Sequence, residues 1–319
     1  MMKLYTTVHV APSETKIGYG DKILLLGSCF ADNIGEKFEE HYFQTTINPF
    51  GTLYNPASIA KAVLDMGYGS SGMGLVEYNG LWHSMMHHGS YSGVDKEEVI
   101  ARCEESRIQM QETLQQASVV IVTFGTAWVY EYEGEVVANC HKLPANQFIR
   151  RRLTVNEIVD MWQPIIASMP DKHWIFTVSP IRHIKDGLHE NQVSKAILLQ
   201  AVDRLMAQQA SRTSSTSSTS STSCTSYFPS YEIMLDELRD YRFYAEDMVH
   251  PSAVAVDYIW QRFVETYMTT DTQQEMRVLH KLWRDRHHRF LHPDSPEAEQ
   301  FAEHIKTRLQ ALQPRYPWL

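Results

Sequence analysis

Ile23-Leu24-Leu25-Leu26-Gly27-Ser28-Cys29-Phe30-Ala31 is an apolar run that stops at a glycine and turns at once through Ser-Cys into a second apolar segment. A short continuous run of this kind predicts a parallel strand covered by helices on both faces. Beyond it, Phe30, Ile34, Phe38 and Tyr42 recur every four residues, which lays them along one helical face. Asp32 falls in the first turn of that helix, where a carboxylate meets the positive end of the dipole. Strand, tight turn and helix make half of a βαβ unit.

The same grammar repeats outward. Val119-Val120-Ile121-Val122-Thr123-Phe124 is closed by Gly125 and preceded by a helix-like stretch from Glu97 to Gln116. His173-Trp174-Ile175-Phe176-Thr177-Val178 is closed by Ser179-Pro180, and the span from Thr154 to Ala167 places Val155, Ile158, Val159, Trp162 and Ile165 on one side of a helix. Apolar strands alternating with amphipathic helices predict an α/β fold with a doubly wound parallel sheet. Residues 211–226 are almost pure Ser and Thr, too polar to offset their ordering entropy, and read as a flexible loop insertion. Asp247-Met248-Val249-His250-Pro251-Ser252 then leads into a helix ending near Tyr267, and Ser295-Pro296-Glu297 caps a last one. The expected organisation is an α/β domain over 1–269 and a C-terminal helical extension over 270–319.

With 319 residues, 43% hydrophobic and 21% charged, the chain has the balance of one large globular domain. A formal net charge of -9 argues against nucleic acid and anionic membrane surfaces, since both demand a field of Lys and Arg. A small-molecule, glycan or acyl-ester partner is expected instead. Cys29, Cys103, Cys140 and Cys224 show no CxxC spacing, so no disulfide framework, zinc knuckle or other cofactor is implied, and reduced thiols in the cytoplasm are expected. The N-terminus lacks the pattern of an export signal, and no apolar run approaches the roughly eighteen residues of a membrane span. The oligomeric state leaves no trace in the sequence.

Ligands of open parallel sheets bind beyond the carboxyl ends of the strands. That selects Ser28 and Cys29, Gly125 and Thr126, the segment Ser179–His183, and the Asp247–His250 loop. Helix amides are expected to lower the pKa of Cys29 toward a thiolate, against the alternative of a small buried filler. A nucleophile needs a base with an orienting carboxylate. The Asp-x-x-His spacing occurs at Asp186/His189, Asp247/His250 and Asp285/His288, and the second alone precedes Pro-Ser and an amphipathic helix. His83, His87, His88, His141, His183 and His189 with Cys140 offer metal-ligand chemistry, but without the spacing of a zinc site, so hydrogen-bonded histidines are expected and no metal. Arg182 is a candidate for bidentate contact with a substrate carboxylate or phosphate, or for an internal salt bridge.

Gly27-Ser28-Cys29-Phe30-Ala31 resembles the motif of the GSCFA-domain family, a bacterial group related to SGNH (GDSL-type) hydrolases. Asn48-Pro49-Phe50-Gly51, Tyr54-Asn55-Pro56, Thr126-Ala127-Trp128-Val129-Tyr130, Asn139-Cys140-His141-Lys142, Ser179-Pro180-Ile181-Arg182-His183 and Tyr241-Arg242-Phe243-Tyr244 extend the likeness over about residues 1 to 265. The resemblance implies a three-layer αβα, flavodoxin-like sheet of the SGNH-hydrolase type, and an esterase or acyl transferase. It implies Cys29 as nucleophile, or Ser28 if the motif is shifted by one, His250 as general base and Asp247 as its orienting group. Backbone amides from Gly27 to Phe30, together with Gly51, would hold the oxyanion. Where that fold uses Gly-x-Asn, this chain has Gly125-Thr126-Ala127, leaving Asn55, Asn139 or His141 to supply the donor. Two other classes stay open: a non-catalytic small-molecule or glycan-binding module on the same fold, and a metal-dependent hydrolase built on the histidines.

Overall fold

A computed structural model describes residues 6–64, 74–215 and 225–319, with backbone alone for 209–215. In chain order the strands are β1 (Lys22–Gly27), β2 (Gln44–Ile47), β3 (Leu75–Tyr78), β4 (Leu81–Ser84), β5 (Val119–Phe124), β6 (Trp128–Tyr132), β7 (Glu135–Val137), β8 (Phe148–Arg152), β9 (His173–Val178) and β10 (Thr225–Phe228). The helices are α1 (Cys29–Glu40), α2 (Pro56–Leu64), α3 (Lys96–Gln116), α4 (Val155–Ser168), α5 (Leu188–Ser215), the single turn α6 (Ser230–Glu232), α7 (Ala253–Tyr267), α8 (Thr270–Arg286) and α9 (Pro296–Leu312).

The central sheet has the order β10-β9-β5-β1-β2, with every neighbouring pair parallel. The chain starts in the interior at β1, steps outward to β2, then reverses and crosses to β5, β9 and β10. A reversal of this kind makes the gap beyond the carboxyl ends of β1 and β5 the natural ligand crevice. Strand pleating sends alternate residues to opposite faces. Leu24, Leu26, Val120, Val122, Trp174 and Phe176 pack with Ile59 of α2, Met110 of α3, Trp162 of α4 and Leu198 of α5. Ile23, Leu25, Val119, Ile121 and Ile175 pack the other way, with Phe30, Ile34 and Phe38 of α1, Ile259 and Phe263 of α7, and Met276 and Leu279 of α8. The fold is therefore the expected three-layer α/β arrangement with C-terminal helices.

Helix ends follow local chemistry. Ser28 caps α1, Thr154 and Glu157 form a reciprocal capping box on α4, and Ser295 caps α9 with Pro296 at the first helical position. Thr269 caps α8, so residue 269 lies in the turn between α7 and α8. The extension that follows is joined to the α/β layers: Met276 and Leu279 are buried, Tyr316 packs edge-on against Tyr19 at 5.2 Å, and Trp318 Nε1 donates to the Tyr42 carbonyl at 2.8 Å.

Regular structure occupies both described ends of the stretch expected as a loop over 211–226. Helix α5 runs on through Ser215, and Thr225 and Ser226 already pair with Trp174 and Ile175 in β10, while residues 216–224 lie outside the described residues. Pairing supplies the backbone partners that the polar composition seemed to forgo, and Ser226 Oγ bonds the His173 ring at 2.9 Å. Two small antiparallel sheets, β3-β4 and β7-β6-β8, were not anticipated from the sequence.

Gly27 ends β1 with φ +136°, and a Cβ there would sit 2.2 Å from the Thr123 carbonyl oxygen. Strain and overlap act together at that position. In urea titrations, Gly27→Ala should lose roughly 3 kcal/mol, whereas Gly20→Ala, with nothing within 4 Å of an added methyl, should stay within about 0.5 kcal/mol. Equal midpoints for the two variants would show that the β1–β5 approach is looser than described.

Candidate active site

Beyond the carboxyl ends of β1 and β5 lies a cavity of about 530 Å³, lined by Cys29, Tyr54, Asn55, Thr126, Trp128, Arg182, His183 and His250 among others. The two residues of the Ser-Cys turn part company here. Ser28 is 1% exposed and spends its hydroxyl on the Phe30 amide at 3.3 Å, holding the end of α1. Cys29, the first residue of α1, is half-buried and faces the cavity.

Its thiol does not behave as expected from a helix start. Burial, and then the nearby Asp32 carboxylate, push the Cys29 pKa up, against the opposing pull of the Cys29 amide, Lys195 and the Phe30 amide. Desolvation of a charge outweighs the dipole of one helix end, so the thiol rests protonated and needs a base.

A candidate base stands in the loop before α7, where His250 lines the same cavity. Asp247 Oδ2 accepts from His250 Nδ1 at 2.6 Å, while Asp247 Oδ1 accepts from the Val249 and His250 amides at 2.9 and 3.0 Å. The His250 amide, the His250 ring and the Val249 amide hold the Asp247 carboxyl down at about 2. The loop is shaped by the Ala245 amide donating to the His250 carbonyl and the Ser252 amide donating to the Phe243 carbonyl, both at 2.8 Å. Of the three Asp-x-x-His pairs, the other two are engaged elsewhere: Asp186 bonds Arg150, and Asp285 bonds Arg308.

Among the described residues Arg182 is held by the His250 loop and not by an internal salt bridge. Its side chain donates to the Met248 carbonyl, its amide donates to the Val249 carbonyl at 3.2 Å, and its guanidinium lies 4.3 Å from the Tyr244 ring centroid. It straps the His250 loop to the exit of β9. His183 faces the cavity with its pKa lowered to about 4 by burial and by Lys195, opposed by a hydrogen bond to Gly125. Among the described residues, Trp128 Nε1, Arg182 Nε and His183 Nε2 are buried polar atoms without a partner, and all three residues line this cavity.

The expected oxyanion donors are sorted by the same geometry. The amides of Gly125 and Thr126 are both spent on the Tyr54 carbonyl, at 2.8 and 2.9 Å. Thr126 nonetheless lines the cavity, with its hydroxyl 3.1 Å from Ser194 Oγ, and Ala127 is fully buried. Gly51 is not among the lining residues: its φ of +74° and tight packing on His88 make it a turn residue. Gly27 lies below the cavity, its amide donating to Asn48 Oδ1 at 2.8 Å. Asn139 and His141 lie apart as well, with Asn139 Oδ1 accepting from the His141 amide and the His141 ring bonded to the Ser84 carbonyl. Of the side chains proposed as replacement donors, Asn55 alone lines the cavity, its Nδ2 donating to Ser58 Oγ at 2.9 Å.

The histidines form a separate polar cluster. His87 bridges Ser84 Oγ and Ser106 Oγ at 2.7 and 3.0 Å, and His83 bonds Ser92 Oγ and stacks on His141. Among the described residues, no three His, Cys, Asp or Glu side chains are disposed to hold a metal ion. Cys29, Cys103 and Cys140 are free thiols, and Cys224 lies outside the described residues.

Sequence reasoning missed Lys195. It sits on the buried stripe of α5 with Asn191, Leu198 and Val202, is 1% exposed, and donates to the carbonyls of Gly125 and Ser179 at 2.6 and 2.7 Å. A lysine at i+4 and i–3 from residues of an apolar helical face was the available clue.

Burial lowers His41, His141, His173 and His183 to about 4 and His87 to about 3, below the ordinary imidazole value of 6.5. The unfolded chain then binds more protons than the folded one as pH falls through 6.5, so stability must decline toward the folded values. Urea midpoints should drop steadily from pH 7 to pH 5, and a flat profile there would mean these imidazoles are solvated.

No helix among the described residues is long and apolar enough to cross a membrane. Nothing among curated proteins or solved structures matches the chain. The GSCFA family model matches residues 22–263, a span that runs from β1 into α7 and carries Cys29, Asp247 and His250 together. The chain belongs to the GSCFA family.

Proposed function

We propose that this chain is a hydrolase or acyl transferase acting on ester bonds, with Cys29 as nucleophile, His250 as general base and Asp247 as its orienting carboxylate. One observation carries the reading: Cys29 and the Asp247-bonded His250, from opposite ends of the family segment, line a single cavity at the reversal point of the sheet. This is the division of labour that SGNH-type hydrolases, which the sequence resembles, assign to their nucleophile and Asp-x-x-His loop.

In the reaction, the unprotonated Nε2 of His250 takes the thiol proton as Cys29 Sγ bonds to the ester carbonyl carbon. The displaced electron pair settles on the carbonyl oxygen, held by the Cys29 amide and Asn55 Nδ2. When the C–O bond breaks, His250 returns the proton to the leaving alcohol and a thioester remains on Cys29. Water, or an acceptor alcohol in the transferase case, then gives its proton to His250 and its oxygen to the acyl carbon, and the thiolate leaves to be reprotonated. Asp247 fixes the Nδ1–H tautomer and balances the imidazolium. The cavity wall of Tyr54, Trp128, Ile181 and Val249 suits an apolar or ring-bearing group, with the unpaired polar atoms of Trp128 and His183 available to orient it.

Cys29→Ala and His250→Ala should each lower turnover of a p-nitrophenyl ester by about a thousandfold, the range expected for loss of a nucleophile or general base. Ser28→Ala should retain most turnover while losing about 1 kcal/mol of stability as a helix cap. Full turnover in both Cys29→Ala and His250→Ala sinks the assignment. A second reading, a binding module without catalysis, draws on the Gly125 and Thr126 amides, which are already spent, and on Ala127 in the place of a donor. It requires saturable ligand binding together with no acyl adduct on Cys29 by mass spectrometry.

A further inference from the structure

A catalytic imidazole needs two fixings: the ring within its loop, and the loop relative to the nucleophile. Asp247 provides the first, through its bonds to the His250 ring and to the Val249 and His250 amides. These bonds are internal to the loop and would survive if the whole loop swung away from Cys29. The Ala245 amide's bond to the His250 carbonyl and the Met248 amide's bond to the Ala245 carbonyl are internal as well. The Asp247 and His250 side chains are each nearly half exposed, so packing grips them weakly. Met248 also holds a left-handed φ of +56° that a bulky side chain seldom adopts.

The second fixing comes from Arg182. Among the described residues, both hydrogen bonds that tie residues 247–250 to an element beyond the loop are donated by this one residue: its amide to the Val249 carbonyl at 3.2 Å, and its Nη2 to the Met248 carbonyl. The guanidinium also lies 4.3 Å from the Tyr244 ring centroid and 5.4 Å from that of Tyr241, on the segment through which the chain enters the loop. The backbone on either side of Arg182 is anchored to the body that carries Cys29. The Ser179 amide donates to the Phe124 carbonyl at 2.8 Å, Ile181 is buried, and the His183 amide donates to Asn191 Oδ1 at 2.9 Å. Arg182 Nε is meanwhile buried without an acceptor, a desolvation cost that packing alone does not explain.

We propose that Arg182 is a positioning residue for His250: it transmits the frame of β5 and β9 to the Asp247–His250 loop and so sets where the imidazole stands relative to Cys29. The inference rests on the proposed reaction, in which His250 takes the thiol proton. Proton transfer along a hydrogen bond tolerates little displacement, and a shift of about 1 Å can lower a rate by about a hundredfold. Lysine is a poor substitute here, since an ammonium can meet a carbonyl but cannot stack flat on a ring.

The test is a double-mutant cycle on turnover of a p-nitrophenyl ester by the full chain. Arg182→Met should lower kcat about thirtyfold with KM within about twofold of the parent, whereas loss of a substrate contact would raise KM. In a His250→Ala background the same change should cost less than about twofold, because the group it positions is gone. Arg182→Lys, which keeps a carbonyl donor without the stack, should lose about fivefold, and it carries the cycle if Arg182→Met does not fold. A parent-like kcat in the folded variant shows that the loop holds its place unaided and overturns the proposal. An equal loss with and without His250 shows that Arg182 acts on the fold or the substrate directly and overturns it as well. If His250→Ala itself keeps the parent's turnover, the proposed reaction falls and this inference with it. A loss in His250→Ala with none in the Arg182 variant sinks this inference alone.

Discussion

The carboxyl ends of β1 and β5 approach so closely that the Thr123 carbonyl occupies the space a side chain would need at Gly27. From that contact the chain leaves on two different errands: β1 turns through Ser28 into α1 on one face of the sheet, and β5 passes through Gly125 toward Thr126 and β6. The crevice between them is what a reversal of strand order leaves open. Asn48 secures the arrangement by accepting the Gly27 amide and donating to Asp32 at 2.6 Å, so the turn, the helix start and β2 are fastened at one point. The Ser28 amide adds a bond to the Thr123 carbonyl at 3.3 Å. Side chains that meet in the cavity inherit their positions from this backbone geometry.

Electrostatics in the crevice is a contest that burial mostly wins. A helix start ordinarily favours an anion, yet the Cys29 thiol is pushed up because desolvation and Asp32 together exceed the amides and Lys195. Lys195 and His183 are pushed down by the same loss of water. Asp247, out on an exposed loop, is instead held in its charged form by two amides and a ring nitrogen.

Much of this was legible in the chain. β1, β5 and β9 are predominantly apolar runs ended by Gly or Ser-Pro, and such runs have few readings other than buried parallel strands. α1, α4, α7 and α9 announced themselves by spacing and caps. β2 and the strands of the small sheets are three to five residues long and partly polar, so no periodicity could build up in them. The Asp247–His250 pair was legible as well, because a carboxylate and an imidazole with only two residues between them can close on each other locally.

The sequence by itself determined β1, β5 and β9, the Gly and Ser-Pro breaks that end them and the short-range Asp247–His250 pairing, because each depends on neighbours a few positions away. Tertiary structure alone decided that Cys29 rather than Ser28 faces the cavity, that Asn55 lines it while Gly51, Asn139 and His141 do not, and that Arg182 braces a loop. It alone placed the buried Lys195 Nζ across the Gly125 and Ser179 carbonyls. Those outcomes turn on which side chains remain in contact with solvent and which carbonyls meet across strands distant in sequence, and burial is a property of the packed chain that no local pattern encodes.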